Sequence, residues 1–291
     1  MLRRILLVVL LGLLYLPSSG RAQDPASPDS RSESPGLLPA HRTGQFSAVL
    51  PVRSLRSERE SWIQRFRFPG DLEGWDYDLA AESFSLYVPP DYDPEGEPYG
   101  VVVWISPFDD GGIPPGLREV FDRRRLIWIG ANNAGNSRHL FHRSGLALDA
   151  AENMERSYHV DPDRIFVSGL SGGGRVATMS AVDFPDVFAG GFPVLGVTTH
   201  LDVPLESNPE ERVLQFPEPS PDILEQARNQ PLVIMTGSED FNREECRVAA
   251  EAYEADGFTR VHLLDIEGMG HEMPSSDDFD RGLELLLLEG P

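Results

Sequence analysis

Gly169-Leu170-Ser171-Gly172-Gly173 puts a serine in a G-x-S-x-G frame, between a β-branched and aromatic run, Arg164 to Ser168, and a helix-forming run, Gly174 to Phe184. Small residues two before and two after the serine permit a strand–turn–helix so sharp that the hydroxyl is lifted clear of a sheet and aimed at substrate. A serine hydroxyl is a poor nucleophile at neutral pH. It needs a histidine to take its proton and a carboxylate to hold that histidine, in the chain order Ser, Asp or Glu, His. Asp240 meets the second requirement, just past the apolar run Leu232 to Thr236, with Glu239 as the alternative carboxylate. His271 meets the third, ending Gly268-Met269-Gly270-His271 after the strand-like run Val261 to Ile266. His262 lies inside that run and His41 in a polar N-terminal stretch, so neither suits the role.

An acyl-transfer site also needs donors for the developing oxyanion. The N–H of Gly172, the residue after the serine, is one. The second is expected in the loop after an early strand, and the apolar run Val101 to Ile105 breaks into Ser106-Pro107-Phe108-Asp109-Asp110-Gly111-Gly112. Proline has no N–H, so Phe108 is assigned the second donor, and a shift of one residue would move the role to Asp109. After the strand-like run Leu126 to Ile129, the turn Gly130 to Arg138 carries Asn132 and Asn133, assigned here as substrate-binding amides; holding turn backbone is their alternative role. The connection Val197 to Gln230, with prolines 204, 209, 217, 219 and 221, is long enough to select substrate as a lid.

The residues quoted so far carry a resemblance. Asp161-Pro162-Asp163-Arg164-Ile165-Phe166-Val167-Ser168-Gly169-Leu170-Ser171-Gly172-Gly173 is similar to the nucleophile segment of secreted α/β-hydrolases grouped with polyhydroxybutyrate-depolymerase-like and feruloyl-type esterases. Tyr87-Val88-Pro89-Pro90-Asp91-Tyr92 resembles their opening strand, and Phe184-Pro185-Asp186-Val187-Phe188 resembles the close of their nucleophile helix. The resemblance runs from about Glu82 onward. It implies an α/β-hydrolase fold, a mostly parallel central sheet with helices on both faces, and a Ser171–His271–Asp240 esterase without cofactor or metal. One departure stands out: Ser106-Pro107 occupies the place where these enzymes usually have His-Gly. A serine peptidase of the same fold, or a hydrolase-fold binding protein whose chemistry has lapsed, are the alternatives.

Length and composition fit that expectation. A chain of 291 residues with 40% apolar residues can bury one sizeable core, and alternating strand and helix patterns argue for a single α/β domain over residues 46–291. Residues 1–22 read as an export signal: Arg3 and Arg4, an apolar run from Ile5 to Leu16, then small residues suited to cleavage. The run is shorter than the roughly 20 residues of a transmembrane helix, and no cysteine follows it for lipid attachment. A secreted or periplasmic enzyme without a stable membrane anchor is expected. Residues 23–45, rich in Pro, Ser and Asp, read as a disordered tether. The stretch Ser57 to Tyr77 holds Trp62, Phe66, Phe68 and Trp75, expected to pack over one edge of the sheet, with leaning over the active site as the alternative. The net charge is −22, and all 25 basic residues are arginine, so the surface should repel nucleic acid; the resemblance implies an ester, small or oligomeric, as the partner. The lone Cys246 reads as a packing residue, and His139 and His142, although spaced i, i+3, lack the further ligands of a metal site.

Overall fold

The computed structural model describes residues 35–66 and 76–288. The export signal, residues 23–34 of the tether, the Phe66 side chain, Phe68 and Trp75 lie outside the described residues. In chain order the elements are β1 (Gly44–Ala48), α1 (Arg59–Phe66), β2 (Phe84–Val88), β3 (Tyr99–Ile105), α2 (Arg118–Arg124) and β4 (Leu126–Ala131). They continue as α3 (Leu140–Ser157), β5 (Val160–Leu170), α4 (Gly172–Asp183), β6 (Gly190–Val194), α5 (Pro221–Ala227), β7 (Leu232–Gly237), α6 (Arg243–Ala255), β8 (Val261–Ile266) and α7 (Ser276–Leu288).

The strands form one sheet in the order β1-β2-β4-β3-β5-β6-β7-β8. β1 and β2 pair antiparallel, and every pairing from β4 to β8 is parallel. Parallel strands covered on both faces become continuous apolar runs, and every residue of Tyr99–Ile105 is buried. Alternation along them feeds two cores. Val101, Val103, Ile165, Val167 and Ile234 meet α3, α4 and α6 on one face; Val102, Trp104, Trp128, Phe166 and Met235 meet α2 and α7 on the other. The strand order and the face assignment place the C-terminal ends of β3, β5, β6 and β7 together at one rim, where Ser171 follows β5.

Two sequence expectations change, and one strand was not anticipated. Residues 35–45, read as the end of a tether, join the fold: Leu38 is buried and pairs through its N–H with Val49, and β1 begins at Gly44. β6, Gly-Gly-Phe-Pro-Val, is a buried strand that its glycines and proline disguised. Residues 197–230 are not a free lid. Val197, Val203, Val213, Phe216 and Leu224 are buried there, and the Tyr253 hydroxyl donates to the Thr198 carbonyl at 2.9 Å.

The segment ahead of β2 is tied to α3 by a buried carboxylate. Asp149 accepts from the Ser54 N–H at 2.8 Å, the Ser57 hydroxyl at 2.6 Å and the Tyr77 hydroxyl at 2.6 Å. Trp62 is buried, but its ring packs on helices rather than on the sheet, 4.8 Å from Phe184 at the end of α4 and 5.2 Å from Phe141 on α3.

Asp183 is the contrast. It ends α4 fully buried, and neither carboxyl oxygen has a partner among the described residues. Burial raises its pKa well above the usual carboxylate range, opposed only by the nearby Arg65 charge. The native state therefore keeps a proton that the unfolded chain releases at about pH 4. The stability it contributes is complete below that pH and declines as pH rises toward the folded pKa. Thermal unfolding of wild type and Asp183→Asn between about pH 4 and pH 8 should show a flatter decline in the variant; parallel profiles would contradict the assignment.

Candidate active site

At the end of β5 the chain turns within one residue. Ser171 takes φ 54° and ψ −119°, and its N–H donates to the Val194 carbonyl at 2.7 Å. The turn closes because Gly173 lacks a side chain: a Cβ there would overlap the Ile105 carbonyl at the end of β3. α4 starts at Gly172, so its unpaired N–H groups and positive dipole end face the serine.

β7 and β8 deliver the other two groups to the same rim. The Ser171 hydroxyl donates to His271 Nε2 at 2.9 Å, and His271 Nδ1–H donates to Asp240 Oδ1 at 2.7 Å. A carboxylate only accepts, so Nδ1 carries the ring proton and Nε2 is left to take the serine proton. Asp240 is buried, and its other oxygen accepts from the Thr236 hydroxyl at 3.2 Å. Glu239, the alternative carboxylate, is exposed, and it is Asp240 that meets the histidine. Phe241, which the sequence reading passed over, stacks on the His271 ring at 4.1 Å and is 76% exposed.

The loop after β3 departs from expectation. The Phe108 N–H is taken by the Ser106 hydroxyl at 3.1 Å, so the residue assigned as second oxyanion donor is turned onto its own loop. The Asp109 N–H makes no hydrogen bond among the described residues. Asn132 is a fastener, not a free substrate amide: Oδ1 accepts from the Gly111 N–H at 3.1 Å and the Ser85 hydroxyl at 3.0 Å, and Nδ2 donates to Ser83 Oγ at 3.1 Å. Asn133 is exposed in a left-handed turn (φ 52°), and its N–H ties to the Asp109 carbonyl at 2.9 Å. The side-chain amide that lies against Gly172, the residue after the serine, belongs to Asn136. Its N–H holds the Pro107 carbonyl at 3.0 Å, and its carboxamide fills the space where a Gly172 side chain would be. Arg143 lies beneath these loops, buried.

The sequence profile of the prolyl oligopeptidase family matches residues 147–278, a span that holds Ser171, Asp240 and His271. Over 45 residues, 16% of this chain, the sequence is 44% identical to poly(3-hydroxyalkanoate) depolymerase C of Paucimonas lemoignei, and the match spans 11% of that protein. A ferulic acid esterase structure aligns with TM-score 0.51 and 15% identity over 72% of this chain and 92% of the esterase. An esterase of Pyrobaculum calidifontis aligns with TM-score 0.51 and 17% identity over 72% and 82%. The chain shares their fold, the α/β-hydrolase fold.

Cys246, on α6, lies in the core next to this site, close to Thr236 and Asp240, and burial pushes its thiol up to about 12. The native protein should leave Ellman's reagent unreacted and release one equivalent of chromophore on unfolding in guanidinium chloride; prompt reaction of the folded chain would contradict this placement.

Proposed function

We propose that this α/β-hydrolase is a serine esterase that cleaves carboxylic esters through an acyl-enzyme. The observation that carries the reading is the unbroken hydrogen-bonded line from the Ser171 hydroxyl through the His271 ring to the buried Asp240. Ser171 Oγ attacks the ester carbonyl carbon as its proton passes to His271 Nε2, and Asp240 steadies the imidazolium that results. The carbonyl oxygen becomes an oxyanion, and the Gly172 N–H at the start of α4 is the donor assigned to it. Collapse expels the alcohol, which takes the proton from Nε2. Water then enters, gives its proton to Nε2 and attacks the acyl carbon; the acid leaves and Ser171 recovers its proton.

The substrate side rests on apolar exposure and on the relatives. Phe241 over the histidine and Phe108 on the facing loop, 76% and 70% exposed, offer aromatic surface to an apolar acyl or alcohol group. The depolymerase segment and the ferulic acid esterase fold point to esters of hydroxy acids or aromatic acids. The Arg3-Arg4 and Ile5 to Leu16 leader supports action after export. A peptidase is the second reading, favoured by the prolyl oligopeptidase profile.

Turnover of p-nitrophenyl acetate should fall about 10⁴-fold or more in Ser171→Ala and His271→Ala, and about 10²- to 10⁴-fold in Asp240→Asn. The wild type should cleave this ester far faster than a matched p-nitroanilide. Ester turnover unchanged in Ser171→Ala would exclude the serine; faster anilide cleavage would favour the peptidase.

A further inference from the structure

Arg143 stands out once the site is assembled. It lies in the first turn of α3, is 5% exposed, and spends its guanidinium on three backbone carbonyls from three segments. Nε donates to Ala134 at 2.8 Å in the loop after β4, Nη2 to Ser106 at 2.8 Å in the loop after β3, and Nη1 to Gly172 at 3.2 Å, the residue following the nucleophile. No carboxylate pairs with it among the described residues. Burial lowers its pKa to about 10, so it stays charged at neutral pH.

A buried cation without a counter-ion is costly, and this one is placed where two helices make it costlier. It sits at the positive end of the α3 dipole, in a first turn that holds no acidic residue, and its Nη1 touches the first turn of α4 as well. Cations belong at the other end of a helix. The guanidinium thus adds its charge next to the first turn of α4, under Gly172, whose N–H is assigned to the oxyanion that forms on the substrate carbonyl oxygen when Ser171 attacks.

We propose that Arg143 is a positioning residue for the oxyanion hole: its fork locks the Ser106 and Gly172 main chains against each other, and its uncompensated charge favours the tetrahedral state over the bound ester. It touches no substrate atom. The inference rests on the esterase reading above. Stabilisation confined to the transition state should appear in kcat and spare KM, which loss of scaffold alone would not reproduce.

The test compares Arg143→Gln, which keeps donors without charge, with Arg143→Lys, which keeps charge without the fork, in the full chain. Measured are kcat and KM for p-nitrophenyl acetate and the inhibition constant of a trifluoromethyl ketone, whose serine adduct carries the oxyanion. Expected is a loss in kcat of about 10²-fold for Gln and about 10-fold for Lys, matched by equal losses in ketone affinity, with KM within about threefold. Either variant holding kcat within twofold of wild type, Lys no better than Gln, or kcat and KM moving together would overturn the proposal. If the Gln variant does not fold, the Lys variant decides: a ratio of ketone affinity to KM equal to wild type overturns it. Ser171→Ala is run alongside. Wild-type turnover that survives Ser171→Ala sinks the esterase reading and this inference with it, whereas Ser171-dependent turnover indifferent to Arg143 sinks this inference alone.

Discussion

Ser171 holds a backbone conformation, φ 54° and ψ −119°, that an L-residue keeps only where its surroundings leave no alternative. Such a turn costs on the order of 1–3 kcal/mol, and the structure around it is arranged so that relaxing it would cost more. β6 supplies the Val194 carbonyl that holds the Ser171 N–H. β3 presses the Ile105 carbonyl against Gly173, leaving no room for the chain to swing back. The parallel pairing of β5 between β3 and β6 fixes all three segments in register, so the elbow is a property of the sheet and not of the loop alone. The hydroxyl that results points at a histidine brought there by the outermost parallel strand, β8.

Buried carboxylates in the same molecule show what distinguishes structural from chemical use. Asp149 collects three donors and ties the N-terminal segment to α3. Asp240 collects two, one of them the histidine ring, which is what a carboxylate must do to orient an imidazole and stabilise its charge. Asp183 collects none, and desolvation raises its pKa well above the usual carboxylate range. Arg143 completes the set from the opposite sign: a cation satisfied wholly by carbonyl oxygens beneath the nucleophile. A chain with a net charge of −22 thus reserves a buried positive site for the place where negative charge develops.

The juxtaposition of Ser171, His271 and Asp240 was legible because each follows an apolar run that reads as a buried strand, and because the turn at 169–173 needs small residues at fixed offsets. β6 was not legible. Gly190 and Gly191 pack so closely on Pro231 and Ala181 that side chains would not fit, and Pro193 falls between the two β6–β7 pairs, Gly191–Leu232 and Val194–Met235, so a central strand carries residues that mark loops elsewhere. Asn132 was misread because an asparagine in a turn looks alike whether its amide meets substrate or the backbone of the next loop. Phe108 was misread because a serine two residues earlier can claim its N–H, a competition that depends on a side-chain rotamer. Arg143 left no trace at all: its partners are carbonyls, which every residue has, and only burial distinguishes it from a surface arginine.

The central claim is that the strained serine is the group that becomes acylated. The most direct measurement is to treat the intact protein with a fluorophosphonate and locate the adduct by peptide mass spectrometry. The account predicts a single phosphonylated site, Ser171, and almost no adduct when His271 is replaced by alanine. Labelling at another residue, or none under conditions where the ester is turned over, would contradict it.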